Sequence, residues 1–362
     1  RVDNMQTYQI DYLRMRRLLP FLGAMLFFFF LLSCSDSDDY FALGSKEQRE
    51  EFRLLQRMLN EEPEDSPRHG VLVQQIAREL LSAGSPERMR VFLTDHVESH
   101  PDDPINGYYL YLVARSYDDS EAAPVRRLYL RRVVRNYPDV EVDGRSTHRL
   151  ALQELVELVD DPNEKVECYQ QLLERFADEL DEGELYYRLA KSHEAAGEWD
   201  RAYKAYREFV EYPETRIPGV PNVHRLVTQK LEFYDSDKEW TMNSLDDLVQ
   251  EIKRAIYLQN TPLLLQYRAG TGFFTMSWEQ QEADFNSRID SFDIGAFLRR
   301  SRVSFASDLD ISSNAKEAYL RTWGWSHRIP VWYLYFRRVN YPADPEVHGD
   351  WEWAGIYFGD SL

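Results

Sequence analysis

Between Leu185 and Pro213 the apolar positions repeat with the period of a helix. Leu185, Tyr186, Leu189, Ala190 and His193 form one stripe, Gly197 marks a turn, and Trp199, Ala202, Tyr206, Phe209 and Val210 form a second stripe that stops at Pro213. A stripe at i, i+3, i+4 is one face of an amphipathic helix. The stretch therefore predicts a helical hairpin.

The hairpin recurs upstream. The first-helix set Leu189-Ala190…His193 maps onto Leu152-Gln153…Val156, Val113-Ala114…Tyr117 and Ile76-Ala77…Leu80. The second-helix set Tyr206…Phe209-Val210 maps onto Tyr169…Leu172-Leu173, Leu130…Val133-Val134 and Leu93…His96-Val97. Both helices obey the same offsets, which are 37, 39 and 37 residues from first to last. A fixed offset across two helices predicts stacked helix pairs, each of which buries its stripe against its neighbours. Gly84 falls where Gly197 does, and Pro101, Pro138 and Pro213 end three second helices because proline cannot continue the hydrogen-bond ladder.

From about Gly70 to Pro213 this pattern resembles the tetratricopeptide repeat family. In the last unit Leu189, Ala190, Gly197, Ala202, Tyr206 and Pro213 stand where that family keeps its large, small and helix-ending positions. The period here is longer than the usual ~34 residues of the family. The resemblance implies an α-solenoid that binds other proteins or peptides.

Flanking elements are expected from local pattern. A first helix starts near Lys46, with Phe52, Leu55 and Leu59 on one face, and Glu61 to Pro67 is a linker. Leu226-Val227…Lys230 repeats the first-helix register without a second helix, as a solenoid cap does. Beyond Ser236 the pattern changes. Helices are expected over Leu245–Leu258, from Thr261-Pro262 to Tyr267, around Ala283 to Arg300, and over Ala315–Thr322. Strands are expected over Gly272–Trp278, Val331–Val339 and Trp351–Phe358, where β-branched and aromatic residues dominate. The fold class is thus α+β: an N-terminal α-solenoid of tetratricopeptide-like helix pairs and a smaller α+β C-terminal domain.

The N-terminal segment predicts an address. Met15-Arg16-Arg17 precedes an apolar run to Leu32, then Ser33-Cys34. A basic start, a short apolar run and a small residue at the cut make a secretory signal. Leu31-Leu32-Ser33-Cys34 resembles the lipobox of bacterial lipoproteins, which implies lipidation of Cys34 and a membrane-anchored envelope protein. Met15 is the expected start, with Met5 as an alternative. The expected organisation is a signal peptide over 1–33, an acidic tether over 34–45, repeats with their cap over 46–235 and an aromatic-rich α+β domain over 236–362.

Charge narrows the partners. The chain has 43 Lys+Arg and 62 Asp+Glu, a net charge of −19. Without residues 1–33, which hold four Arg and two Asp, the balance is 39 − 60 = −21. Such a surface disfavours nucleic acid. With Cys34 lipidated, Cys168 has no cysteine to pair with and is expected to be a small buried hydrophobe. No phosphate loop and no nucleophile elbow is present, and no cofactor, metal ligand set or catalytic group is assigned.

Binding is expected instead, to another envelope protein or a peptide. In each first helix the residues off the packing stripe face the solenoid's groove. The candidates are Arg78, Tyr111, Arg115, Tyr187, Arg188 and Lys191, whose cations favour an acidic or C-terminal carboxylate partner. The second candidate surface is the C-terminal aromatic region, with Trp325 and Trp353, which suits a sugar, peptide or other small molecule. An envelope hydrolase is the third reading; its acid–base groups would come from Asp308, Asp310, Glu317, His327, His348 and Glu352.

Overall fold

The computed structural model describes residues 45–64, 66–117, 122–278 and 293–359. The signal, Cys34 and most of the acidic tether lie outside these residues. So do residues 279–292, over which much of the expected Ala283–Arg300 helix falls. No helix among the described residues is long and apolar enough to cross a membrane. The chain divides into two compact units, one ending at Leu158 and one beginning at Val159.

The first unit holds α1 (Lys46–Glu61), α2 (Pro67–Ser82), α3 (Pro86–Ser99), α4 (Asn106–Arg115), α5 (Ala123–Asn136) and α6 (Thr147–Leu158). A two-residue ladder of β1 (Glu141–Val142) and β2 (Arg145–Ser146) precedes α6. Ser45 opens α1 with a capping box: Gln48 N–H donates to its hydroxyl and its own N–H donates to the Gln48 side chain. The stripe residues Ile76, Ala77, Leu80, Val113, Ala114, Leu93, Val97, Leu130 and Val133 are all buried, as the register predicts.

The second unit begins with α7 (Pro162–Phe176), α8 (Glu182–Ala195), α9 (Trp199–Val210) and the cap helix α10 (Val223–Asp235). Leu189, Ala190, Tyr206 and Phe209 form the centre of the α8–α9 pair, and Cys168 is buried on α7. Gly84 and Gly197 have φ of 69° and 75° and end α2 and α8 in the same way. In each case the next residue donates back to the carbonyl at C3: Ser85 N–H to Leu80 O, and Glu198 N–H to His193 O.

The structure adds a repeated position that the apolar stripes do not show. Gly70, Gly107, Ser146 and Gly183 stand at the same 37, 39 and 37 offsets. A Cβ at Gly183 would lie 2.7 Å from Tyr212 Cβ, and one at Gly107 would lie 3.1 Å from Tyr137 Cβ. At Gly107 and Gly183 a small residue at the start of the first helix thus lets the end of its partner approach, while a Cβ at Gly70 would lie 2.8 Å from Ile105 Cδ1, just before α4.

The C-terminal half of this unit has α11 (Leu245–Tyr257), α12 (Thr261–Gln266), β3 (Phe274–Ser277), α13 (Ile294–Leu298), β4 (Ser304–Phe305), β5 (Glu317–Trp323), β6 (Val331–Arg338) and β7 (Trp351–Phe358). The sheet order is β3-β7-β6-β5-β4, with β3 parallel to β7 and the other pairs antiparallel. The expected helix over Ala315–Thr322 is therefore corrected to strand β5. Its period is two: Ala318, Leu320 and Thr322 are buried on one face, while Tyr319 and Arg321 point to the other.

One face of the sheet is the core. Leu320, Trp332, Leu334, Phe336, Trp353 and Ile356 pack with Leu248, Ile252, Ile256, Leu264 and Leu298 of the helices. Trp353 and Ile356 share this face only because the pairing slips opposite Tyr335/Phe336, leaving an extra residue in β7. The opposite face is a tyrosine layer, with Tyr319, Tyr333, Tyr335 and Tyr357 around Trp278. Gly355 admits the Phe274 ring, which would lie 2.7 Å from any Cβ there.

The boundary between the compact units falls inside the repeats. Repeats contact only their neighbours, so a solenoid divides easily. The cap, by contrast, is joined to the sheet-bearing region. Tyr203 stacks on Tyr234 at 3.9 Å, and Phe233 packs edge-on against Trp240 and Tyr341.

Tyr206 is 1% exposed in the α8–α9 pair. Its replacement by Ala is expected to cost about 3–5 kcal/mol, measured by urea unfolding. A loss below about 1 kcal/mol would show that the register of the last pair is misassigned.

Candidate functional site

Within the second unit, a cleft of about 760 Å³ opens between the last helix pair with its cap and the tyrosine face of the sheet. Its helical wall includes Lys191 from α8, Tyr203 from α9 and Leu226 and Lys230 from α10. Its sheet wall includes Phe274, Tyr335, Arg337 and Tyr357. Five basic side chains line it against two carboxylates, Glu194 and Glu352. On a chain of net −19 this is a concentration of positive charge.

Both carboxylates are already held by the basic groups. Lys191 Nζ donates to Glu194 Oε2 at 2.6 Å, and Lys230 Nζ donates to Glu194 Oε1. Burial pushes the Glu194 carboxyl up, but the hydrogen bonds and charges of the two lysines together outweigh it and hold the group below the usual range. Lys230 also sits 5.0 Å over the Tyr206 ring. Glu352 is 2% exposed, and both its oxygens are taken: Arg337 Nε donates to one at 2.7 Å and Trp240 Nε1 to the other at 2.8 Å. Arg338 is fixed as well, its guanidinium 4.6 Å over the Trp351 ring and bonded to the carbonyls of Ala315 and Gly349. The cleft is thus a preorganised cationic and aromatic surface.

The structure distributes the expected binding residues unevenly. Lys191 lines the cleft. Tyr187 lies on the same helix but packs its ring 5.4 Å from Phe209, and Arg188 pairs along α8 with Glu184 at 3.2 Å. In the first unit Arg78 is exposed on α2. Tyr111 and Arg115 converge on Glu154: the buried Tyr111 hydroxyl donates to it at 2.9 Å and Arg115 Nε lies 3.7 Å away, with Arg126 on its other oxygen. Tyr111 is therefore an interhelical strut rather than a groove-facing ring.

Trp325 and Trp353 require a correction. Trp353 is 0% exposed and donates to Gly355 O; Trp325 stacks on Trp332 at 4.7 Å and donates to the Thr322 hydroxyl. They are core, because the β7 bulge turns Trp353 inward and the stacked pair closes the end of the sheet. The aromatic platform sits instead on Tyr335 and Tyr357, which alternation along β6 and β7 places on the other face, with Phe274 of β3 beside them. Of the acid–base candidates, Asp308, His327 and His348 are exposed, Asp310 binds Ser312, Glu317 accepts from Tyr335, and Glu352 is occupied as described.

The structure also gathers three histidines that the sequence pattern does not single out. His69, His96 and His100 bring one nitrogen each to within 4.8 Å of one another. The missed signal was His96 and His100, four apart and so on one face at the end of α3.

Arg337 and Glu352 generate a stability prediction. Arg337→Leu strands a buried carboxylate, which is expected to destabilise the chain by about 3–5 kcal/mol in urea unfolding. Glu194 gives a pH prediction. Its lowered folded pKa means its contribution is complete above the ordinary Glu value and is lost as pH falls through the folded one. The acid-side fall in melting temperature should be shallower in Glu194→Gln than in the wild type; parallel curves would contradict this.

Comparison with known proteins bears on the repeats. Residues 184–215 match the tetratricopeptide repeat family, the unit in which the sequence pattern is clearest. No curated protein matches the chain. Among solved structures, "MamA RS-1 ArsTM double mutant" is similar over 53% of this chain and 94% of its own, at 15% identity and a TM-score of 0.30. "Crystal structure of MamA" is similar over 50% and 96%, at 16% identity and a TM-score of 0.29. The chain thus contains tetratricopeptide-like repeats joined to a separate sheet-bearing region.

Proposed function

We propose that this chain is a protein-interaction scaffold whose cationic, aromatic cleft holds an acidic peptide segment of its partner. The carrying observation is the excess of basic side chains in that cleft on an otherwise acidic protein. Exposed cations at its rim steer an acidic partner, and desolvated aromatics supply the anchor. Leu226, 47% exposed at the cleft, offers apolar contact beside the cations. Tetratricopeptide repeats generally mediate protein–protein interaction, which agrees with this reading.

The N-terminal pattern supports a partner in the cell envelope. The basic–apolar–LLSC order supports lipidation of Cys34 and anchoring on a membrane. Catalysis is not part of this reading.

Two measurements test these points. Peptides selected from a random display library on the purified protein should be rich in Asp, Glu and aromatic residues. They should bind Leu226→Glu at least tenfold more weakly, since the new carboxylate repels them. Selected peptides without acidic residues would contradict the proposal. For the address, Cys34→Ser should move the protein from the membrane to the soluble fraction and abolish labelling by radioactive palmitate; unchanged fractionation removes the lipid anchor.

A further inference from the structure

The first helix pair carries a cluster that, among the described residues, the other pairs lack. His69 lies in the first turn of α2, His96 in the last turn of α3, and His100 caps α3. The offsets that align the repeats place Val133, Leu172 and Phe209 where His96 stands, and Asn106, Arg145 and Glu182 where His69 stands. Helix pairing does not require a histidine at position 96, since apolar residues serve there in the other three units.

The surroundings have the form of a ligand shell. The His96 and His100 rings are 4.4 Å apart, and the His69 ring is 5.6 Å and 5.8 Å from them. His69 is 6% exposed, and both its ring nitrogens are buried without a hydrogen-bond partner. An unpaired buried imidazole is costly, so its lone pair calls for a partner. The other two rings are oriented from behind. His96 Nε2 is bonded to Asp103 Oδ2 at 3.0 Å, which leaves Nδ1. His100 Nδ1 donates to His96 O at 3.0 Å, which leaves Nε2. A carboxylate or carbonyl behind each imidazole is the arrangement that fixes the tautomer of a metal-binding histidine. His100 is half-buried, and Glu64 Oε1 lies 3.4 Å from its Nε2, so the cluster opens to solvent beside a carboxylate.

We propose that His69, His96 and His100 form a binding site for a divalent transition-metal ion, Zn²⁺ by preference. Three imidazole nitrogens with one position left open suit tetrahedral Zn²⁺ at about 2.0–2.1 Å per bond. Such bonds place the nitrogens roughly 3.4 Å apart, so the rings draw together, and the stacked His96 and His100 rings, 16° from parallel, turn so that their in-plane lone pairs meet at the ion. The ion ties the start of α2 to the end of α3, the end of the pair opposite the Gly84 turn. It thereby fastens the first repeat at both ends.

The test uses the full chain without a polyhistidine tag, titrated with Co²⁺ and then with Zn²⁺ in competition with a chelator. The expected result is one ion per chain, with the visible ligand-field bands of a four-coordinate site, and a rise in melting temperature that a chelator reverses. His69→Asn and His100→Ala should each weaken binding at least tenfold, and Asp103→Asn by about 10–100-fold. Far-UV circular dichroism verifies that the variants are folded. If His69→Asn does not fold, His100→Ala, whose ring is partly exposed, carries the test alone. The proposal is overturned if the wild type shows no ligand-field bands at stoichiometric Co²⁺, or if folded His100→Ala binds as tightly as the wild type.

Discussion

The second unit depends on a carboxylate taken out of water. Glu352 draws Arg337 from the neighbouring strand and Trp240 from the segment just after the cap helix. A buried charge with one partner removed is strongly destabilising, so the three groups hold together or not at all. Around this point the rest is aligned. Met242 bridges to Trp351 next door, and the Trp240 ring lies so close to Gly270 that a Cβ there would come within 2.6 Å. The sheet is thereby locked to the chain leaving the last repeat. Their junction is where the cleft opens.

A helix pair buries one stripe and leaves its outer side to a neighbour. The cap helix covers the α8–α9 pair, and its far side would otherwise face water. Here the sheet region receives it: Phe233 reaches Trp240 and Tyr341, while Leu226 stays exposed at the cleft. Incomplete cover is what leaves a ligand surface. The same reasoning separates Lys191 from Arg188. They lie three residues apart on α8, yet one meets Glu194 at the cleft rim and the other meets Glu184 along its own helix.

The repeats were legible because a period of 3.6 residues, repeated at a constant offset, is a strong signal. The cap, helix α11, helix α12 and strands β6 and β7 were legible for the same kind of reason. Strand β5 was not. Its sequence EAYLRTW alternates, but Ser313, Asn314 and the charged residues before it imitate a helix cap. Trp325 and Trp353 were placed on the wrong surface because a bulge changes which face a residue occupies, and nothing in the local sequence announces the bulge. The cleft was half legible. Lys191 was visible as an off-stripe cation, but Tyr335, Arg337 and Tyr357 reach it through tertiary packing alone. The histidine cluster combines a local pair with a third residue 27 positions before His96, a distance that only the hairpin closes.

The central claim is that an acidic segment seats in the cleft of the second unit. Amide hydrogen exchange of the protein, with and without a bound acidic peptide, tests it most directly. The account predicts slowed exchange on binding in three places: α8 and α10 around Lys191 and Lys230, the approach to β3 around Thr271–Met276, and β6 around Tyr335–Arg338. Protection confined to α2 and α4, around Arg78 and Arg115, with none in those three segments, would contradict it.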